Sequence, residues 1–186
     1  MQYGFQKYRN IREAAEEQNK TISKHNVMLF DLGAGSLKVA IAAYKPPAAA
    51  KSKDILDMGS IQMKGASWSN EVSGIAFDSV IVDYFVKLFK KKHNMDVSMT
   101  TNPRAVVRLF EQAKKLKELL TANKKVPYRV EGIFEDKDLN FEFTRTQFQE
   151  LSSHILAEMT NTVDRALRDA NMTAADLDAV EVVGGA

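Results

Sequence analysis

Val27-Met28-Leu29-Phe30-Asp31-Leu32-Gly33-Ala34-Gly35-Ser36-Leu37-Lys38-Val39-Ala40-Ile41-Ala42-Ala43-Tyr44 is an apolar run, a glycine-punctuated turn and a second apolar run. The pattern predicts an antiparallel hairpin, with strands over Val27–Phe30 and Leu37–Tyr44. Its turn places an acid, two glycines and a hydroxyl where the first strand stops. That set suits a phosphate. Glycines let backbone N–H groups approach an anion and adopt positive φ, and turn amides form a small anion-binding concavity. A strand-end carboxylate can hold Mg²⁺ through its water shell, and a serine hydroxyl can donate to a phosphate oxygen. The plainer reading is an ordinary hairpin connection, which favours glycine for backbone reasons alone. A second segment, Val180 to Val183 followed by Gly184-Gly185, repeats the strand-then-glycine pattern at the other end of the chain.

Composition bounds the alternatives. The chain has 186 residues, 45% of them hydrophobic, enough for one core or two small ones. Its 26 basic and 24 acidic residues leave a net charge of +2, so no broad field points to nucleic acid. No apolar stretch reaches the length of a membrane span, and the first twenty residues lack a signal-peptide apolar core. Cysteine is absent, and His25, His93 and His154 lie too far apart for ligand spacing. Metal-cage and histidine-centred chemistry are therefore not expected.

Between the glycine segments the periodicity alternates. Ile11 to Asn26 is charged and reads as a surface insertion or helix end. Pro46-Pro47-Ala48-Ala49-Ala50-Lys51 reads as an exposed loop and Ile55–Met63 as a strand. From Asp78, Val80, Ile81, Tyr84, Phe85, Leu88 and Phe89 recur at helical spacing, and Lys90-Lys91-Lys92 suits the negative end of a helix dipole. Asn102-Pro103 supplies a cap and a first-turn proline for a helix burying Val106, Val107, Phe110, Ala113, Leu116 and Leu120. Tyr128–Phe134 and Leu139–Phe143 flank Glu135-Asp136-Lys137-Asp138 as a second hairpin. Thr144-x-x-Gln147 is a capping box opening one long helix through Phe148, Leu151, Ile155, Met159, Val163 and Leu167; Thr173-x-x-Asp176 is a weaker cap.

The order of Phe30–Ser36, Arg104–Leu109, Lys117–Asn123, Phe148–Leu151, Ala166–Ala170 and Val182–Ala186 resembles the nucleotide-binding domain of the heat-shock-seventy chaperones. The resemblance covers the second lobe of that domain, from about Gln2 to Ala186, and Tyr3-Gly4 resembles the segment before its second phosphate hairpin. It implies an α/β fold of the actin-like, ribonuclease H-like ATPase class. A mixed sheet with flanking helices would form a base subdomain over about 1–77 and 144–186. A small helix-and-hairpin tip would occupy about 78–143. Gly33-x-Gly35-Ser36 stands where the family usually has Gly-Gly-Gly-Thr. With the insertion before Val27 and the long Tyr44–Ala66 segment, it is most similar to the large, divergent members, and among them to the endoplasmic-reticulum branch; a cytoplasmic location is the alternative.

The resemblance implies ATP or ADP with Mg²⁺ as cofactors. Asp31 matches the carboxylate near Mg²⁺, held through water, and near the attacking water. Gly33, Ala34, Gly35 and Ser36 match the loop around the β- and γ-phosphates, and Gly184 and Gly185 match the loop bordering adenosine. The family's adenine clamp, Glu-x-x-Lys-Arg-x-x-Ser, reads here as Lys114-x-x-Lys117-Glu118-x-x-Thr121. Lys117 and a hydroxyl at Thr121 are kept; Lys114 and Glu118 depart from the pattern. Lys38 replaces a family acid beside the loop. Taken without the family, the clamp charges read as a solvated helix face.

The resembled domain has a first lobe carrying the remaining catalytic groups, and a peptide-binding domain follows it. Further sequence is thus expected beyond Ala186, and this lobe alone is expected to be inactive. Three functions follow: the ATP-binding lobe of a large chaperone that holds unfolded polypeptide through those other domains and exchanges nucleotide on a conventional heat-shock-seventy-type partner; another actin-like phosphotransferase such as a sugar kinase; or an interaction domain that keeps the fold without nucleotide.

Overall fold

A computed structural model of the chain describes residues 7, 10, 13, 14, 24–45 and 60–186. The expectations for Tyr3-Gly4, most of Ile11–Asn26, the Pro46–Lys51 loop and the first part of Ile55–Met63 lie outside these residues. The chain divides into two compact units, one from Met1–Asn70 with Met159–Gly185 and one from Glu71–Glu158.

The first unit is built on the glycine hairpin. Strand β1 (His25–Leu32) runs antiparallel to β2 (Leu37–Lys45), which pairs antiparallel with β3 (Ser60–Ser69). The last strand, β6 (Ala179–Val183), joins β1 in parallel, giving the order β3-β2-β1-β6. The third strand therefore continues past Met63, the end of its expected range, to Ser69. Alternation there is disturbed by a register shift at Ile41/Ala42, where Ile41 faces Gly65 and Ala42 faces Met63. Such an extra residue flips the side chains that follow it to the other face, so a period-2 reading fails across it. On one face Val27, Ala42 and Tyr44 form a buried cluster with Leu29, Ile61 and Ala179.

The C-terminal part of helix α4 (Ser153–Asp169) packs on β3. A Cβ on Gly65 would lie 2.5 Å from the Ala170 nitrogen and 2.7 Å from the Ala166 oxygen, so only glycine lets helix and strand meet there. The Asp169 carboxylate accepts the Ala66 N–H at 2.9 Å, and Arg165 Nε donates to Ser67 Oγ at 3.2 Å. The β6 turn is held by Asn26, whose N–H donates to Asp178 and whose side-chain amide donates to the Asp176 carbonyl. Thr173 donates from N and Oγ1 to the Asp176 carboxylate, which these bonds hold below its ordinary range, with nearby Lys24 adding to the effect.

The second unit packs two helices on a hairpin. Helix α1 (Gly74–His93) begins four residues before Asp78, because Ser73 caps it by accepting the Ala76 N–H; Asn94 ends it in the left-handed region. Lys90, Lys91 and Lys92 occupy its last turn, as expected. Helix α2 (Pro103–Ala122) carries proline in its first turn, but Asn102 makes no side-chain cap; its Oδ1 accepts instead from Thr101 Oγ1. The buried stripe is Ala105, Val106, Leu109, Ala113, Leu116 and Leu120, spaced three and four apart from Val106 onward. Val107, expected inside, is 53% exposed: it lies one residue off that stripe, about 100° round the helix. Strands β4 (Lys125–Phe134) and β5 (Lys137–Thr144) join through Glu135-Asp136 alone. Both turn residues have positive φ, at 49° and 55°, as a tight hairpin turn requires. Phe85, Phe89, Leu109, Leu116, Leu139 and Phe143 are fully buried between helices and hairpin, each contributing about 1.5–3 kcal/mol.

Thr144 and Gln147 form the predicted capping box at α3 (Arg145–Leu151). The expected single long helix is instead two, because Ser152 turns out of helical geometry between α3 and α4. No glycine or proline marks the break in the sequence.

One charged cluster ties the hairpin together. The Asp138 carboxylate accepts the Gly132 N–H at 2.8 Å and an Arg129 N–H at 2.7 Å, while Arg108 donates to the Gly132 carbonyl. These bonds, the Gly132 one foremost, hold Asp138 below its ordinary carboxylate range. A lowered folded pKa stabilises the fold at pH above the unfolded value and loses that contribution as pH falls through the folded value. Asp138→Asn is therefore expected to lower the urea midpoint at pH 7, with the gap to the parent closing below about pH 4. Urea titrations across that range, followed by circular dichroism, check it; a gap that persists at low pH would show that charge is not involved.

Candidate functional site

The first unit gathers its marked residues at one end of its sheet. Asp31 sits one residue before the end of β1, paired across the sheet with Lys38 on β2 and Val183 on β6. Gly33, Ala34, Gly35 and Ser36 form the four-residue connection, closed by the Gly33 N–H donating to the Ser36 carbonyl at 3.0 Å. The parallel pairing of β6 with β1 then brings Gly184 against Leu32 at the start of this loop, although the two lie far apart in the sequence.

The glycines serve different purposes. Gly184 has φ +113°, and a Cβ on it would lie 2.0 Å from the Leu32 oxygen, so the fold itself demands glycine. Gly33 and Gly35 do not enter the left-handed region, which corrects the expectation that the loop needs positive φ. A Cβ on Gly33 would make an ordinary 3.6 Å contact with the Ser36 oxygen, and one on Gly35 or Gly185 would meet nothing within 4 Å. The fold thus leaves open space at Gly35, where an approaching group could reach the backbone. Ala34 and Gly35 are exposed, and Ser36 and Asp31 are partly so.

Among the described residues, the Asp31 carboxylate takes part in no hydrogen bond or ion pair. No three acidic or histidine side chains among those residues converge on a point that could hold a metal ion. This donor set does not suit a cation that needs a protein cage. It does suit Mg²⁺, which keeps most of its waters and takes one or two carboxylates together with phosphate oxygens.

Lys117 and Thr121 belong to the second unit, on the last turns of α2. Lys117 Nζ lies 2.9 Å from an Asp78 carboxylate oxygen, with both side chains mostly buried. Asp78 is a residue that sequence reading passed over; its place four residues into α1 gave no sign of that partnership. Thr121 is exposed, and its hydroxyl makes a long bond to the Lys117 carbonyl. The end of α2 lacks a basic residue of its own, and Arg145 fills that role. Its guanidinium donates to the Leu120 carbonyl at 2.8 and 3.0 Å and to that of Thr121 at 3.0 Å, satisfying carbonyls that a helix end leaves open. Lys114 and Glu118, which depart from the expected clamp, are both exposed.

A mixed sheet with a glycine-turn hairpin at its heart, a parallel return strand and a helix-and-hairpin unit define an α/β lobe of the actin-like ATPase class. The chain belongs to the family described as Hsp70 protein, whose match covers residues 1–186. It is 32% identical over 159 residues to a heat shock protein homolog of the yeast Naumovozyma castellii, covering 86% of this chain and 21% of that protein. It is likewise 32% identical over 167 residues to hypoxia up-regulated protein 1 of Gallus gallus, covering 89% and 16%. Heat shock 70 kDa protein 14 of Arabidopsis thaliana is 31% identical over 159 residues, covering 86% and 17%. The chain spans about a fifth of the length of these relatives. Family membership brings a nucleotide-binding fold with it.

The contrast between the glycines is testable. Gly184→Ala is expected to cost at least about 1–3 kcal/mol, from overpacking and strain together. Gly35→Ala is expected to leave the melting temperature within about a degree or two, in the range of ordinary surface changes. Differential scanning fluorimetry of both variants checks this; equal melting temperatures would remove the distinction.

Proposed function

We propose that this chain is the second lobe of the ATP-binding domain of a large chaperone of the Hsp70 family. In this reading Asp31 takes Mg²⁺ through water, and Gly33, Ala34, Gly35 and Ser36 take the nucleotide phosphates. Gly184 and Gly185 border the adenosine, and Lys117 and Thr121 serve the adenine end, with Asp78 setting the Lys117 rotamer. The observation that carries the proposal is the open space at Gly35, in the turn that follows Asp31, whose carboxylate has no partner among the described residues. When bound, Mg²⁺ supplies charge neutralisation for the phosphates.

The chain's own contribution is to bind and orient. Backbone amides of the loop approach an anion without side chains in the way, and the Ser36 hydroxyl adds a donor. Charge stabilisation of a transferring phosphoryl group comes from several sides, so this lobe in isolation is expected to turn over no ATP. The parent protein is proposed to hold unfolded polypeptide and to promote ADP release from a conventional Hsp70-type partner. The stretch Asn102–Phe143 would face that partner, and the base and tip subdomains would run over about 1–77 with 144–186 and over 78–143. A lumenal, endoplasmic-reticulum setting rests on the retained Gly33-x-Gly35-Ser36 loop and the long Tyr44–Ala66 segment. The competing reading, an interaction domain without nucleotide, is separated by binding alone.

Two measurements test this. Calorimetric titration of ATP and ADP into the full-length protein is expected to show binding that Mg²⁺ strengthens and that Asp31→Asn weakens. Gly35→Val should weaken it more broadly, by filling the open space. Unaltered affinity in both variants would reduce the loop to a plain turn. Release of a fluorescent ADP analogue from a partner chaperone should accelerate when the ATP-loaded protein is added; no acceleration would remove the exchange role.

A further inference from the structure

The strand register singles out one side chain at the loop that the reading above leaves unused. In the antiparallel β1–β2 pair Asp31 stands directly opposite Lys38, and in β2–β3 Lys38 stands directly opposite Trp68. Opposed residues share a face of the sheet, with Cβ atoms about 4.5–5.5 Å apart. Asp31, Lys38 and Trp68 therefore form one row, adjoining the Gly33–Ser36 connection. Lys38 is exposed, and Trp68 is 69% exposed.

A lysine facing a carboxylate across two strands has an ion pair within easy reach. Lys38 forms none: among the described residues its ammonium makes no ion pair and no hydrogen bond. Among the described residues, the row thus presents an unpaired cation next to an unpaired anion beside the Gly33–Ser36 loop. An anion approaching Asp31 meets repulsion unless a positive charge stands by. A divalent cation can provide it, and so can a fixed ammonium, which binds phosphate as a point charge.

We propose that Lys38 is a phosphate-binding residue, its ammonium taking a terminal phosphate oxygen of a nucleoside triphosphate on the flank of the loop facing Asp31. The inference rests on the phosphate-loop reading. It has two consequences that reading lacks. Triphosphate binding survives chelation of Mg²⁺, because part of the neutralising charge belongs to the protein. The gain is larger for ATP than for ADP, because the terminal phosphate receives the contact. Trp68 lies next in the row.

The test is titration of ATP and ADP into the full-length protein, with Mg²⁺ and with EDTA, for the parent, Lys38→Met, Lys38→Arg and Gly35→Val. Lys38→Met is expected to lose about tenfold or more in metal-free ATP affinity, the loss of one charge-assisted hydrogen bond, with a smaller loss for ADP. Lys38→Arg should retain most of the affinity, and the melting temperature should not move. If Lys38→Met matches the parent while Gly35→Val is weakened, Lys38 is a solvated surface lysine and only this inference falls. If the parent binds no nucleotide, or Gly35→Val matches it, the phosphate loop falls and Lys38 with it.

Discussion

The approach of Gly184 to the Leu32 carbonyl is the constraint on which the nucleotide end of this lobe depends. Parallel pairing of β6 with β1 through Asp31 and Val183 is possible only if the chain leaves β6 without a side chain at the next position. Together with the β1–β6 ladder, that contact brings the chain leaving β6 to the start of the Gly33–Ser36 turn. A Cβ on Gly184 would displace either the return strand or the hairpin, and the loops would no longer share an edge.

The glycines of this lobe are not one class. Gly65 and Gly184 are demanded by the protein's own backbone, one where α4 meets β3 and one where β6 meets the hairpin. Nothing among the described residues demands glycine at Gly35, and that leaves its backbone open to a group from outside. Sequence alone cannot draw this division, because all three appear as glycine at or near a strand. Of the two reasons offered from sequence for the hairpin glycines, positive φ does not apply, and Gly35 has the room that a close approach needs.

Much of the fold was legible because its signals are local. The hairpin's apolar runs, the Thr144–Gln147 capping box, the proline opening α2 and the lysines closing α1 each carry their cause within a few residues. What was missed depended on partners distant in sequence or on departures from period. Ser73 rather than Asp78 starts α1, because a cap is set by one hydroxyl and not by the apolar stripe it precedes. Val107 reads as core until helical phase places Leu109 there instead. The bulge opposite Ile41/Ala42 and the break at Ser152 leave no compositional mark. In the candidate site, Asp31 and the loop were visible in the sequence. The Lys117–Asp78 pair and the support of α2 by Arg145 were not, since each joins residues on different elements.

If the backbone around the two separate glycine segments forms one ligand-facing edge, a bound nucleotide protects both segments at once. Hydrogen–deuterium exchange of the full-length protein, with and without saturating ADP and Mg²⁺, tests it most directly. Exchange is expected to slow together at peptides covering Gly33–Ser36 and Gly184–Gly185 when nucleotide is added. Saturated binding with unchanged exchange at both segments would contradict the claim.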